Sequence, residues 1–270
     1  MIYSDRELSR KLERAEARAN ADLVETRLSL FPDSGAEWID VSGTYAMFDE
    51  LDSPLTQTFG LGIFEDATPN ILDEIEAFFT VRGSSVLHEV SPMAGVSVLS
   101  LLNSRGYIPV EQTSVMYLEL RGHEPFPAMN RNIVARPINP SEADHWAEVA
   151  AAGWATEGEG LYDFMLAFGK IAARARGGHA FIAELEGRSI ATGGFHMYDD
   201  VCILAGASTI PDARRWGAQN ALLSARLRYA IEQGCKLAMM GALPGSQSQK
   251  NAQRNGFNIA YTRTKWQLTI

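Results

Sequence analysis

Between Ala207 and Asn220 the chain reads Ala-Ser-Thr-Ile-Pro-Asp-Ala-Arg-Arg-Trp-Gly-Ala-Gln-Asn, residue types that suit the binding of an anion. Upstream, Val201 to Ser208 is an apolar run of strand length without a helical polar face, which predicts a buried strand ended by Pro211. Downstream, Leu223, Leu227, Ala230 and Ile231 recur at helical spacing until Gly234. A helix start offers about four backbone N–H groups without partners and the positive end of a dipole. Gly217 lets a phosphate reach that backbone without meeting a side chain, and Arg214 and Arg215 add charge. A pyrophosphate suits this turn. An ordinary strand-to-helix connection with surface arginines reads the same way.

The elements that must position the turn follow from patterning along the chain. Its 270 residues and 46% hydrophobic content support one large or two ordinary globular domains. Ser4-x-x-Glu7 reads as a capping box, and Leu8, Leu12, Ala15, Ala19 and Leu23 then share one helical face until Pro32. From Glu37 to Phe64 the pattern predicts two or three strands with a turn at Asp52-Ser-Pro. Thr68-Pro69 caps a helix carrying Ile71, Leu72, Ile75, Phe78 and Phe79 to Gly83. A strand from Ser85 to Val90 follows, then a helix opened by Pro92, then Arg105-Gly106-Tyr107 and the strands ending near Leu120.

That order recurs. Gly83 and Gly106 stand 23 positions apart and Gly234 and Gly256 stand 22, with Pro92 and Pro244 following the first glycine of each pair by 9 and 10. Two copies of one fold are expected, residues 1–122 and 133–270, joined by a polar, proline-bearing linker at 123–132. The position in the first copy that matches Gly217 is Asp66, beside Glu65, and no basic residue lies between Phe64 and Asn70. An acidic pair repels a pyrophosphate, so only the second copy is expected to bind one.

Arg214-Arg-Trp-Gly217-Ala-Gln219 resembles the Arg/Gln-x-x-Gly-x-Gly/Ala turn of the Gcn5-related N-acetyltransferase (GNAT) family, and the elements around it follow that family's order over about 130 residues from Ile133. The resemblance implies an α/β fold of tandem GNAT-like domains, each a mixed, mostly antiparallel sheet flanked by helices, with a degenerate first copy. It implies acetyl-CoA as acyl donor. The pyrophosphate contacts carried over are Arg214, Arg215, Trp216, Gly217, Ala218, Gln219 and Asn220, with Ala207, Ser208 and Thr209 pairing to the pantetheine arm. Ser246, within the capping box Ser246-x-x-Gln249, and Asn251 on the last short helix are further coenzyme contacts. Gln219 departs from the family's small residue.

For catalysis and amine binding the chain offers four side chains. Acetyl transfer to an amine needs a neutral amine, a dipole on the carbonyl oxygen and a proton for the leaving thiolate. Val201 to Ser208 holds no acid, which leaves His196 on the preceding strand as a base or as a structural histidine. The family's tyrosine position holds Ala252, and Tyr261 is a substitute acid or a packing residue. Glu157 and Glu159, each followed by glycine, either hold and deprotonate a cationic amine or are solvated loop acids.

The expected activity is N-acetyl transfer to a primary amine of a small molecule or peptide, the alternative being a non-catalytic acyl-CoA-binding module. The net charge of −9 argues against a nucleic-acid partner. Cys202 and Cys235 read as buried hydrophobes, so no metal is expected. No apolar run reaches the roughly 18 residues of a membrane helix and the start lacks a signal peptide's apolar core, so a cytoplasmic monomer or homodimer without a membrane partner is expected.

Overall fold

The computed structural model describes residues 2–120 and 130–269, so most of the expected linker lies outside the described residues. In chain order the elements are α1 (Arg6–Leu30), β1 (Glu37–Val41), β2 (Thr44–Phe48), β3 (Gln57–Phe59), α2 (Pro69–Thr80), β4 (Val86–Val90), α3 (Val96–Ser104), β5 (Ile108–Glu119), β6 (Ile133–Pro137), α4 (Ala143–Trp154), α5 (Leu161–Ala172), β7 (Gly178–Leu185), β8 (Arg188–Tyr198), β9 (Val201–Thr209), α6 (Ala218–Glu232), β10 (Leu237–Ala242), α7 (Gln247–Arg254) and β11 (Asn258–Leu268). The fold is α/β with mostly antiparallel strands flanked by helices.

By spatial contact the chain divides into two units, Met1–Leu118 with Met239–Ile270, and Glu119–Ala238. The division by repeat, 1–122 and 133–270, is a different partition. In the first unit the strand order is β1-β2-β3-β4-β11-β5, and β11 pairs antiparallel with both β4 and β5. The end of the chain therefore forms an interior strand of the sheet built by its beginning. The core beneath holds Leu72, Ile75, Phe79, Val86, Leu102 and Tyr107, largely the apolar faces that periodicity predicts. In the second unit β6, β7, β8 and β9 form an antiparallel meander, with α4 against one face and α6 against the other.

Several ends differ from the sequence expectation because short polar side chains compete for the same N–H groups. Asp5, not Ser4, caps α1 by accepting from Leu8 N at 2.9 Å. Asn139 and Glu142 form the capping box of a 3₁₀ turn at Pro140–Glu142 that leads into α4. The last of the strands expected between Glu37 and Phe64 stops at Phe59, since Gly60 and Gly62 adopt left-handed φ values of 91° and 72°.

One polar cluster sits inside the first unit. Arg263 on β11 is nearly buried and lies 2.6 Å from Glu16, 2.9 Å from Glu89 and 3.5 Å from Glu13, while Lys265 reaches Glu89 at 3.3 Å. Tyr261 donates its hydroxyl proton to Glu13 Oε1 at 2.8 Å. Burial pushes the Glu13 carboxyl up from 4.5 to about 7; Arg263 opposes this rise and Glu16 adds to it. A carboxyl whose folded pKa is raised contributes stability that is present at acid pH and lost as pH rises through about 7. Glu13→Gln keeps an acceptor for Tyr261 and cannot ionise. Denaturant melts from pH 5 to 8 are expected to show the wild type losing stability, on the order of 2 kcal/mol, relative to this variant. Parallel curves would remove the buried-carboxyl account.

Candidate functional site

The site is built where β9 hands over to α6. β9 leaves the sheet at Thr209, and Pro211 opens a single 3₁₀ turn to Ala213. The backbone then passes through two left-handed residues, Arg215 at φ 71° and Gly217 at φ 96°. For an arginine that conformation costs roughly 1 kcal/mol, so the turn is held by its surroundings. Gly217 is the N-cap of α6 and no side chain caps this helix. The first-turn N–H groups are thus left for water or a ligand to accept.

The opposite holds at the matching helix of the first unit. Thr68 caps α2 by accepting from Ile71 N at 3.3 Å, and Pro69 deletes an N–H of the first turn. The loop before it is clasped by α1, whose Arg6 and Arg10 donate to the carbonyls of Gly62, Ile63 and Phe64. Its arginines face carbonyls, and its helix start is closed.

Around the turn of the second unit each side chain has a fixed task. Arg214 folds back onto the end of α4 and the loop beyond it, donating to Gly153 O at 3.0 Å and to the Thr156 hydroxyl at 3.3 Å, and pairing with Glu157 at 2.9 Å. Arg214 therefore braces the loop. Gln219 donates its amide to Ser208 O at 2.9 Å and to the Thr209 hydroxyl at 2.8 Å, tying the start of α6 to the end of β9. The departure from a small residue is absorbed by this fold-back, away from the helix axis. Trp216 is half exposed, and its carbonyl accepts from Asn130.

β9 itself is interrupted. Its register with β8 runs Thr192 to Ser208 and then Gly194 to Ala205, so Gly206 and Ala207 together face Gly193 in a bulge. Gly206 has φ 62°, and Ala205, Gly206 and Ala207 are exposed in an otherwise buried strand. Ser208 is buried, its hydroxyl bonded to Thr192 and to Ala150 O of α4, so its side chain is engaged within the fold. α4 comes this close because Gly153 has no side chain: a Cβ there would sit 2.6 Å from Ser208.

The remaining expected residues fall elsewhere. His196 is nearly buried on β8 opposite Ile203, three positions and roughly 10 Å along the strand from the bulge at Gly193. Glu159 is exposed in the loop before α5. Ser246, Asn251 and Tyr261 belong to the first unit. There Ser246 caps α7 by accepting from Gln249 N, Asn251 accepts from Gln247 at 2.7 Å, and Tyr261 is buried against Glu13. Burial and the Glu13 charge raise the Tyr261 hydroxyl well above its ordinary value.

Sequence patterning missed one group. Arg226 lies on the buried face of α6 and reaches under the sheet to Gly194 O at 2.9 Å. That face runs through Ala218, Leu222, Arg226, Leu227 and Ala230, whereas Leu223 is half-buried and Ile231 exposed. An apolar count cannot register an arginine as inward-facing. The paired Gly193-Gly194 and the lone Gly206 inside strands were the available signal, since such glycines mark bulges.

Residues 143–257 match the model of the Acetyltransferase (GNAT) family. No curated protein matches the chain. Among solved structures, a GCN5-related N-acetyltransferase from Kribbella flavida superposes with TM-score 0.63 at 18% identity, over 93% of this chain and 94% of that one. A tandem GNAT protein from the clavulanic acid biosynthesis pathway gives TM-score 0.59 at 10% identity, over 99% and 96%. A GCN5-related N-acetyltransferase from Sphaerobacter thermophilus gives 0.57 at 15%, over 83% and 76%. These structures show the fold, and the match to the GNAT acetyltransferase family lies in residues 143–257 of the chain.

Proposed function

We propose that this protein is an acetyl-CoA-dependent N-acetyltransferase acting on a primary amine of a small molecule or peptide, with its coenzyme site in the second copy and a degenerate first copy. The observation that carries this reading is the uncapped start of α6 behind Gly217, set against the capped and arginine-clasped start of α2. In this reading the backbone of Arg215 to Asn220 receives the pyrophosphate at the positive end of the helix. The exposed stretch Ala205 to Ala207 is open to the acyl end of the arm, with Thr209 beyond it.

On the protein side, chemistry rests on positioning. Glu157 gives one carboxylate oxygen to Arg214, which leaves Glu159 as the freer acid of the loop to attract a cationic amine. His196 and Tyr261 are both enclosed by their own elements, so proton transfer through water is the simpler route, and holding the reactants in line supplies much of the rate. Two buried, unbridged cysteines suit a reducing cytoplasm. Among the described residues no helix is long and apolar enough to cross a membrane.

The non-catalytic acyl-CoA-binding module remains the second reading, favoured by the absence of an acid from β9 and by Ala252 at the tyrosine position. Turnover across a panel of primary amines separates the two.

Thermal melts with acetyl-CoA test the coenzyme site. At about 100 times its Kd the coenzyme is expected to stabilise the wild type by roughly 2.7 kcal/mol, and Gly217→Glu is expected to abolish that gain. No shift in the wild type would sink the reading. Arg214→Ala is expected to lower global stability by only about 1 kcal/mol, since its ion pair is half exposed. Amide exchange in residues 153–160 should accelerate well beyond that global loss; unchanged exchange there would remove Arg214 as the brace of the loop.

A further inference from the structure

Arg226 is a buried cation held by backbone. Its guanidinium donates to Leu222 O at 3.3 Å within α6 and to Gly194 O at 2.9 Å, and lies 3.5 Å from Ala205 O. Among the described residues no carboxylate pairs with it. Burial pushes its pKa down to about 10, which still leaves it charged at neutral pH. A cation without a counter-ion inside a domain is costly to keep, and an apolar side chain such as methionine would avoid that cost.

Its place in the sheet gives it a task. Gly194 and Ala205 are register partners, and the bulge of Gly206 and Ala207 opposite Gly193 starts one residue further on. Gly193 has no side chain where the guanidinium rests: a Cβ there would sit 3.0 Å from Arg226 Cζ and Nη1. Gly193 thus lets a positive charge press against the underside of the sheet beside the exposed stretch Ala205 to Ala207. A trans peptide is planar with its C=O and N–H on opposite sides. Drawing the Ala205 carbonyl toward α6 turns the Gly206 N–H toward the α4 side of the sheet, where a Cβ on Gly206 would have only Trp146 within 4.0 Å.

We infer that Arg226 is a positioning residue for acyl transfer: from beneath the sheet it fixes the bulge so that the Gly206 N–H meets the thioester oxygen, and its charge favours the negative charge that builds there. The inference rests on the acetyl-CoA reading above. It gives the chain an electrostatic device for the oxyanion, while the amine's proton leaves through water.

The test uses acetyl-CoA labelled with ¹³C at the acetyl carbonyl, with unlabelled CoA as the control ligand. Wild-type protein is expected to move the bound carbonyl resonance downfield, the signature of a polarised C=O. Arg226→Gln and Arg226→Leu are expected to lose most of that displacement while binding CoA within about twofold of wild type, because a group acting only on the acyl oxygen leaves uniform binding untouched. Arg226→Lys, which keeps the charge, should retain more than half of it. Should the leucine variant fail to fold, the glutamine and lysine variants decide, and Gly193→Ala gives an independent route by pushing the guanidinium away. A full displacement in Arg226→Gln with intact CoA binding overturns the inference alone. Absence of saturable acetyl-CoA binding by the wild type overturns the coenzyme reading and the inference with it.

Discussion

A helix that begins without a cap has to be answered by something outside the helix. In the second unit that condition is met at α6, where Gly217 supplies a left-handed residue, no hydroxyl or carboxylate folds over the first turn, and the helix dipole points its positive end outward. The neighbouring structure keeps it so. Arg214 is turned away to the loop after α4, and Gln219, the first polar side chain of the helix, is turned away to the end of β9. Each of these side chains could have closed the helix start, and each is held elsewhere by two or more partners.

The first unit shows what happens when the same junction is closed. Thr68 and Pro69 satisfy or remove the first-turn donors of α2, Glu65 and Asp66 bring negative charge, and α1 lays two arginines across the preceding loop. The unit then serves as a packed body, and its interior strand β11 is the end of the chain. The ionic cluster of Arg263 with Glu13, Glu16 and Glu89 fixes that strand against α1 and β4. Burying a cation among three carboxylates specifies one register, since a shift of one residue would send Arg263 to the other face.

Much of this was legible in the sequence. The turn at 214–217, the glycines that end α2 and α6, and the loss of basic residues around Asp66 are local signals, set by residues within one helix turn of one another. Long-range choices were not. Nothing in the spacing of β11 tells that it enters between β4 and β5, because strand partners are selected by tertiary packing. Nor does periodicity reveal Arg226, since a charge is counted as outward-facing until its carbonyl partners are seen. Tyr261 illustrates the same limit: its residue type suits proton transfer, and only its bond to Glu13 shows where it is engaged. Ser246 and Gln249 were read correctly as a cap because both partners lie three residues apart.

The most direct measurement is backbone amide exchange, residue by residue, with and without acetyl-CoA. The open start of α6 as the coenzyme's seat predicts strong new protection at Ala218, Gln219 and Asn220, and none at the first turn of α2 from Asn70 to Leu72. Protection spread evenly over both helix starts, or absent from α6 while the coenzyme is bound, would contradict the central claim.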